Sequence, residues 1–203
     1  MKKVIFIIAF LSGINIAMAQ DFEGYYTASF DFNQPLSNTN RVNSMSILGL
    51  KVGYHRLLNK KFTLGGELNW GTYKQYHPTV TATQPDGSVV TTDYFDYVYS
   101  YGLVLNGRYM MSYNQTFNPY FGLGVGVAYN KYAQFYNVYE YQKKATGFLA
   151  RPEAGMIIRF SQRRSVCGLV GVHYDYSTTN STAGGYSDFT NYGFNLGIVI
   201  LDW

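Results

Sequence analysis

The chain has 203 residues, enough for one domain with a sizeable interior. Only 14% of them are charged, whereas 18% are aromatic, with 21 Tyr, 14 Phe and 21 Gly, and the mean hydropathy is -0.13. The formal net charge of +4 includes Lys2 and Lys3 at the N-terminus; the excess left without them is too small to indicate a nucleic-acid partner, and a single cysteine, Cys167, excludes an internal disulfide.

The first residues read as an export signal. Met1-Lys2-Lys3 is basic, residues 4–16 are mostly apolar, and Ala17-Met18-Ala19 places small residues just before Gln20. The apolar run is shorter than the roughly 20 residues a spanning helix needs. Residues 1–19 are therefore expected to be a cleaved signal peptide and 20–203 the mature domain, in which no later stretch is long and apolar enough for a helical span. Such a chain enters a membrane only as a closed barrel, because hydrocarbon offers no partner to an open sheet edge.

From there the sequence alternates with period two, the spacing of strands. A first strand at 24–32 sets Tyr26, Ala28, Phe30 and Phe32 against Tyr25, Thr27, Ser29 and Asp31, and the Asn-rich segment 33–43 reads as a loop. A second, at 44–56, opposes Leu48, Leu50, Val52 and Tyr54 to Gly49, Lys51, Gly53 and His55. The third begins at Phe62 and opposes Leu64, Leu68 and Trp70 to Thr63, Glu67 and Asn69. Residues 79–83 and 88–92 flank Gln84-Pro85-Asp86-Gly87, two β-prone runs about a turn, and predict a hairpin reaching past the membrane. A fourth strand returns over 94–111.

The fifth, 118–129, is the most two-faced: Phe121, Leu123, Val125, Val127 and Tyr129 oppose Gly122, Gly124, Gly126, Ala128 and Asn130. An aromatic loop is expected over 131–145, then a sixth strand at 148–160 in which Pro152 predicts a bulge, a seventh at 166–176 and an eighth at 188–203. Long connections after the odd strands and short ones after the even strands match the outer loops and periplasmic turns of a membrane barrel. The same order sorts the aromatics into two bands, Trp70, Tyr97, Tyr99, Tyr101, Tyr129, Tyr174, Tyr176 and Tyr192 at one end and Tyr54, Phe62, Tyr109, Phe121, Phe160 and Trp203 at the other. The expected fold is all-β, an eight-stranded antiparallel up-and-down transmembrane β-barrel.

With its signal peptide, its strand pattern, Pro119-Tyr120-Phe121-Gly122-Leu123-Gly124-Val125-Gly126, Pro152-Glu153-Ala154-Gly155 and an aromatic C-terminus, the chain resembles the small eight-stranded bacterial outer-membrane β-barrel family of the OmpA/OmpX type. The resemblance implies the bacterial outer membrane, contact with outer-membrane lipid and lipopolysaccharide, and assembly by the barrel-insertion machinery. Trp203 departs from the pattern, because it is out of phase with Tyr192 to Ile200.

The inward faces bear Lys51, Glu67, Arg108, Arg151, Glu153 and Arg159, charges of both signs in a space an eight-stranded barrel fills with side chains. A paired plug is the expected arrangement, since a buried charge needs a partner; a narrow pore for small solutes is the alternative. His173, Asp175 and Ser177 share one strand face, but such neighbours stand about 6 to 7 Å apart, beyond the reach of a serine and its base. The three histidines form no metal-ligand spacing, and the Gly122, Gly124, Gly126 series follows the pleat instead of a dinucleotide fingerprint. No enzyme, cofactor or metal is expected.

Function falls to the outer loops. The 79–92 hairpin offers Thr/Val edges for strand addition, and Phe135, Tyr136, Tyr139, Tyr141, Lys143 and Lys144 form an aromatic, basic candidate contact surface. The expected role is structural or surface-interacting, toward an extracellular or envelope protein partner. A narrow pore, an accessory barrel subunit of a larger envelope machine and a lipid-modifying barrel enzyme are the competing readings.

Overall fold

In a computed structural model that describes residues 23–83, 87, 89–113, 115–136, 139–161, 165–180 and 187–202, the chain closes into one antiparallel up-and-down barrel of eight strands. They are β1 (Gly24–Pro35), β2 (Ser46–Leu57), β3 (Phe62–Thr83), β4 (Val89–Met110), β5 (Phe117–Tyr136), β6 (Tyr139–Arg159), β7 (Val166–Ser177) and β8 (Phe189–Asp202). Each pairs with its sequence neighbours, and β1 closes on β8 from Gly24↔Asp202 to Pro35↔Asn191. The expected signal peptide and Trp203 lie outside the described residues.

Side-chain alternation decides which face meets which environment. Phe30 is 62% exposed beside Asp31 at 2%, and Leu105 is 65% exposed beside Asn106 at 0%. Leu, Val, Ile and Phe side chains thus form a continuous exposed apolar belt around the wall, far larger than water tolerates on a monomer. Trp70, Tyr101, Tyr174, Tyr176 and Tyr192 border it at the outer end, and Phe62, Tyr109, Phe121 and Phe160 at the other.

Strand lengths are unequal, as the hairpin at 79–92 predicts for β3 and β4 but nothing in the sequence pattern predicted for β5 and β6. β3, β4, β5 and β6 have 22, 22, 20 and 21 residues, while β1, β2 and β7 have 12 each and β8 has 14. The expected aromatic loop at 131–145 is mostly strand: β5 and β6 stay paired from Asn130↔Ala145 to Tyr136↔Tyr139. β3 and β4 likewise continue to Thr83↔Val89, with one register shift between His77 and Val80. These long outer connections are therefore sheet: the four central strands continue past the barrel as a four-stranded outer sheet. Pro152 makes no bulge, because the β6–β7 register is the same on both sides of it, at Ala150↔Tyr176 and Glu153↔His173. It leaves a gap in the ladder, consistent with its missing N–H. A second register shift lies between β1 and β2, where Ile47 and Leu48 of β2, both exposed, face the single β1 residue between Asp31 and Asn33.

Candidate functional site: a filled lumen and an outer sheet

The interior is stacked in layers. At the inner end Tyr25, Met110, Tyr120, Ile157, Cys167, Leu169, Val199 and Leu201 form an apolar cluster, with a cavity of about 30 Å³ at its edge. At the outer mouth Val42 from the β1–β2 loop packs against Tyr73, Val98, Tyr132 and Phe189. The expected plug was one of paired charges; both ends of the lumen are closed in addition by hydrocarbon and aromatic rings.

Between these layers lies an ionic network. Arg108 donates to Glu67 and to Glu153, each at 2.5 Å, and its guanidinium carbon stands 4.6 Å from the centre of the Tyr120 ring. Lys51 Nζ lies 4.0 Å from Glu153, and His55 Nε2 3.2 Å from Glu67 Oε1. Arg151 forks onto Asp175 with bonds of 2.6 and 2.7 Å, donates to Asn69 at 3.0 Å, and approaches Glu67 at 3.8 Å. That last contact joins the first group to a second one, in which His173 lies 3.1 Å from Asn33 Oδ1, 3.7 Å from Asp31 and 3.9 Å from Asp175. The two-pronged arginine contacts are the geometry that best offsets the desolvation of buried charge.

Five of the six inward charges singled out in the sequence, Lys51, Glu67, Arg108, Arg151 and Glu153, thus converge at one level. Arg159 is buried as well but stands apart at the inner end, lining the small cavity with Tyr25 and Met110. Asp31, His55, His173 and Asp175 belong to the network too; their inward parity was readable, and His55 meets Glu67 and Asp175 meets Arg151 across neighbouring strands, whereas the approach of Asp31 to His173 depends on register between β1 and β7, which are not neighbours. Gly122 serves this layer directly, because a Cβ there would come within 2.7 Å of the Glu153 side chain. Ser177 bonds Thr179 Oγ1 and the Phe189 carbonyl and has no contact with His173, so the three residues form no catalytic relay. Among the described residues no cluster of metal-ligating side chains occurs.

On the outer sheet, register divides the predicted contact surface between two faces. Phe135 and Lys144 project outward with Phe95, Tyr97 and Tyr99, while Tyr136, Tyr141 and Lys143 fall on the face above the lumen; the side chain of Tyr139 lies outside the described residues. There His77 stacks on Tyr94 at 4.5 Å and Tyr94 on Tyr136 at 4.9 Å. Asp96 is buried under them, 3.2 Å from His77 Nε2, and burial pushes its carboxyl above the usual carboxylate range.

The two margins of this sheet differ. Along β3, Thr72 N–H donates to Ser46, so by alternation Lys74, Tyr76 and Pro78 turn their backbone groups the same way. The β1–β2 loop lies against that margin, with Gln75 accepting from Asn43 N–H and the Ser44 hydroxyl and with the Arg41 carbonyl 2.9 Å from His77; Pro78 has no N–H to offer. Along β6, Phe148 exchanges bonds with Thr178, and Thr146, Lys144, Gln142 and Glu140 point their N–H and C=O groups the same way. Pairing of β6 with β7 stops at Leu149↔Ser177, so no described strand lies beside those four residues.

No family model matches the sequence, and no curated protein matches it. Its fold is matched by solved outer-membrane barrels. Neisserial surface protein A is similar over 87% of this chain and 96% of its own, with 15% identity and a TM-score of 0.56. Ail, the attachment invasion locus protein of Yersinia pestis, is similar over 89% of this chain and all of its own, with 8% identity and a TM-score of 0.54. The chain therefore has the fold of the small outer-membrane barrels of the OmpA/OmpX type. It is a transmembrane β-barrel of eight strands with a filled interior.

Proposed function

We infer that this barrel resides in the bacterial outer membrane, exported by residues 1–19, and acts there as a non-catalytic surface-interaction component whose outer sheet takes up an extended segment of an extracellular or envelope protein. The observation that carries this is the open β6 margin over 140–146, seven residues with no described strand beside them on a scaffold whose mouth is packed shut. An unpaired edge binds by strand addition, with main-chain bonds giving affinity and alternate side chains giving selectivity. A surface protein and an attachment protein among the fold's relatives agree with such a role. A solute pore is disfavoured by the two apolar layers.

A photo-crosslinking residue at position 142, compared with one at 81 in the β3–β4 hairpin, tests the assignment on intact cells. Crosslinks to a partner are expected from 142 and not from 81, and Thr146→Pro is expected to abolish them. Equal crosslinking at both positions, or persistence in the proline variant, would refute the β6 margin as the binding edge.

A further inference from the structure

Above Leu149, β6 loses its neighbour because the chain that follows β7 turns away from it. Thr178 N–H donates to the Phe148 carbonyl, and the next residues cross the lumen side of β6, where a Cβ on Gly147 would come within 2.5 Å of the Thr178 carbonyl carbon. Thr179 is buried there: its hydroxyl accepts from Asn130 and its carbonyl from the Tyr132 hydroxyl, each at 2.7 Å, both partners on β5. Bonds inside the mouth thus hold this chain off the β6 margin, and the crossing at Thr178 is the floor of the vacated strip. A strand added there begins opposite Thr146 and meets the backbone groups of Thr146, Lys144, Gln142 and Glu140 in turn.

Two lysines stand side by side on this margin. Alternation sends them to opposite faces, Lys143 to the lumen side and Lys144 outward. Lys143 Nζ lies 5.3 Å from the centre of the Tyr141 ring. Lys144 stands opposite Lys131 in register, and Lys131 is 3.5 Å from Glu140, so that carboxylate is already engaged. Among the described residues neither Lys143 nor Lys144 is paired with an acid. The residues of an added strand that fall opposite 143 and 144 are themselves consecutive, and one projects on each side of the sheet. Acids separated by one residue would both project on the same side and reach a single lysine. We propose that the segment taken up by β6 carries two adjacent acidic residues, one carboxylate set against Lys143 and the other against Lys144. The assignment rests on the strand-addition reading above and gives its partner a chemistry. Opposite charges facing one another across a strand pair strengthen pairing by about two- to threefold each, and like charges weaken it similarly.

The mature barrel in neutral-detergent micelles, titrated against three fluorescent heptapeptides and followed by anisotropy, tests the proposal. The peptides are Thr-Val-Thr-Glu-Asp-Val-Thr, its isomer Thr-Val-Glu-Thr-Asp-Val-Thr with both acids on one face, and Thr-Val-Thr-Lys-Lys-Val-Thr. Expected is binding of the adjacent-acid peptide about threefold tighter than its isomer and about tenfold tighter than the lysine peptide. Both preferences are expected to vanish in K143A/K144A and to remain in K60A/K61A, which changes the turn at the opposite end. Equal affinity for the two isomers overturns the proposal on wild-type protein alone, whatever the folding of the variant. Undiminished binding of the adjacent-acid peptide to Thr146→Pro also overturns it, by showing that the acids adsorb away from the edge. Absence of binding by all three peptides would reject strand addition at β6 and this inference with it; equal binding of all three rejects only the acidic pair.

Discussion

Replacing Arg108 by Met removes the centre of the ionic layer while keeping much of the side-chain volume. Arg108 is 1% exposed and bonds Glu67 and Glu153, both buried, so the substitution strands two carboxylates in the lumen. Breaking a buried ion pair by deleting one partner costs about 3 to 5 kcal/mol. Arg151 at 3.8 Å from Glu67 and Lys51 at 4.0 Å from Glu153 remain as poorer partners, which places the expected loss near the lower end, about 3 kcal/mol. With a urea dependence of about 2 kcal/mol per molar, the unfolding midpoint in detergent micelles is expected to fall by about 1.5 M. Adding Glu67→Gln and Glu153→Gln to the same chain is expected to restore part of it, because the two stranded carboxylates are then gone while Lys51 gives up its partner at 4.0 Å. Arg108→Lys, which keeps the charge but loses the two-pronged geometry, is expected to fall in between. A midpoint for Arg108→Met within about 0.3 M of wild type, or a triple variant no better than the single one, would show that Arg108 does not hold the layer together.

Three further outcomes are expected. Purified protein in planar bilayers shows no stable single-channel steps, and Arg108→Ala shows none either, because the apolar layers lie above and below the vacated space; steps in wild type would refute the sealed lumen. Gly147→Ala places a Cβ about 2.5 Å from the Thr178 carbonyl carbon, where the outer chain crosses β6. It is expected to speed proteolysis at 178–180 while leaving the heat-shifted gel mobility of the barrel intact; unchanged cleavage would show that the crossing yields freely. The Asp96 carboxyl is held above its ordinary value by burial, so the folded outer sheet retains that proton more tightly than the unfolded chain does. The stabilisation is full below about pH 4 and is lost as the pH rises through the folded value. Protease resistance of the outer sheet in wild type is therefore expected to decline over that window, and Asp96→Asn to flatten the profile; parallel profiles would refute it.

Strand existence, strand order and inward parity were legible because one wall face must be apolar and the other not, so alternation at Phe30/Asp31 or Leu105/Asn106 carries the signal directly. So was the extension of β3 and β4, read from the β-prone runs at 79–83 and 88–92; the extension of β5 and β6 was not. Residues 131–145 carry Tyr on the inner face and Lys on both faces, and polarity that reads as loop in a membrane strand is equally suited to a sheet standing in water. The same ambiguity hid the division of the aromatic candidates: Phe135 and Tyr136 are adjacent in sequence and lie on opposite faces. The apolar ends of the lumen were overlooked because Tyr25, Tyr120, Ile157 and Leu169 occupy the parity of Lys51 and Arg108, and parity alone does not give height. Pro152 was visible as an anomaly, but whether a missing donor shifts the register or only interrupts it depends on the neighbouring strand.

The ionic layer draws on β1, β2, β3, β4, β6 and β7, and so reaches around the β1–β8 closure from Asp31 to His173. That reach makes it a proofreader of assembly. A strand displaced by one residue would turn its charges into lipid, and one displaced by two would keep its parity but move its charged atoms about 7 Å from their partners. Hydrophobic burial tolerates the second error almost completely, since one Leu or Val of the wall resembles the next. The charges do not. In a wall so repetitive, the polar layer distinguishes the correctly joined cylinder from its near neighbours, and the cost of dehydrating it is met only when every strand has arrived at its own height.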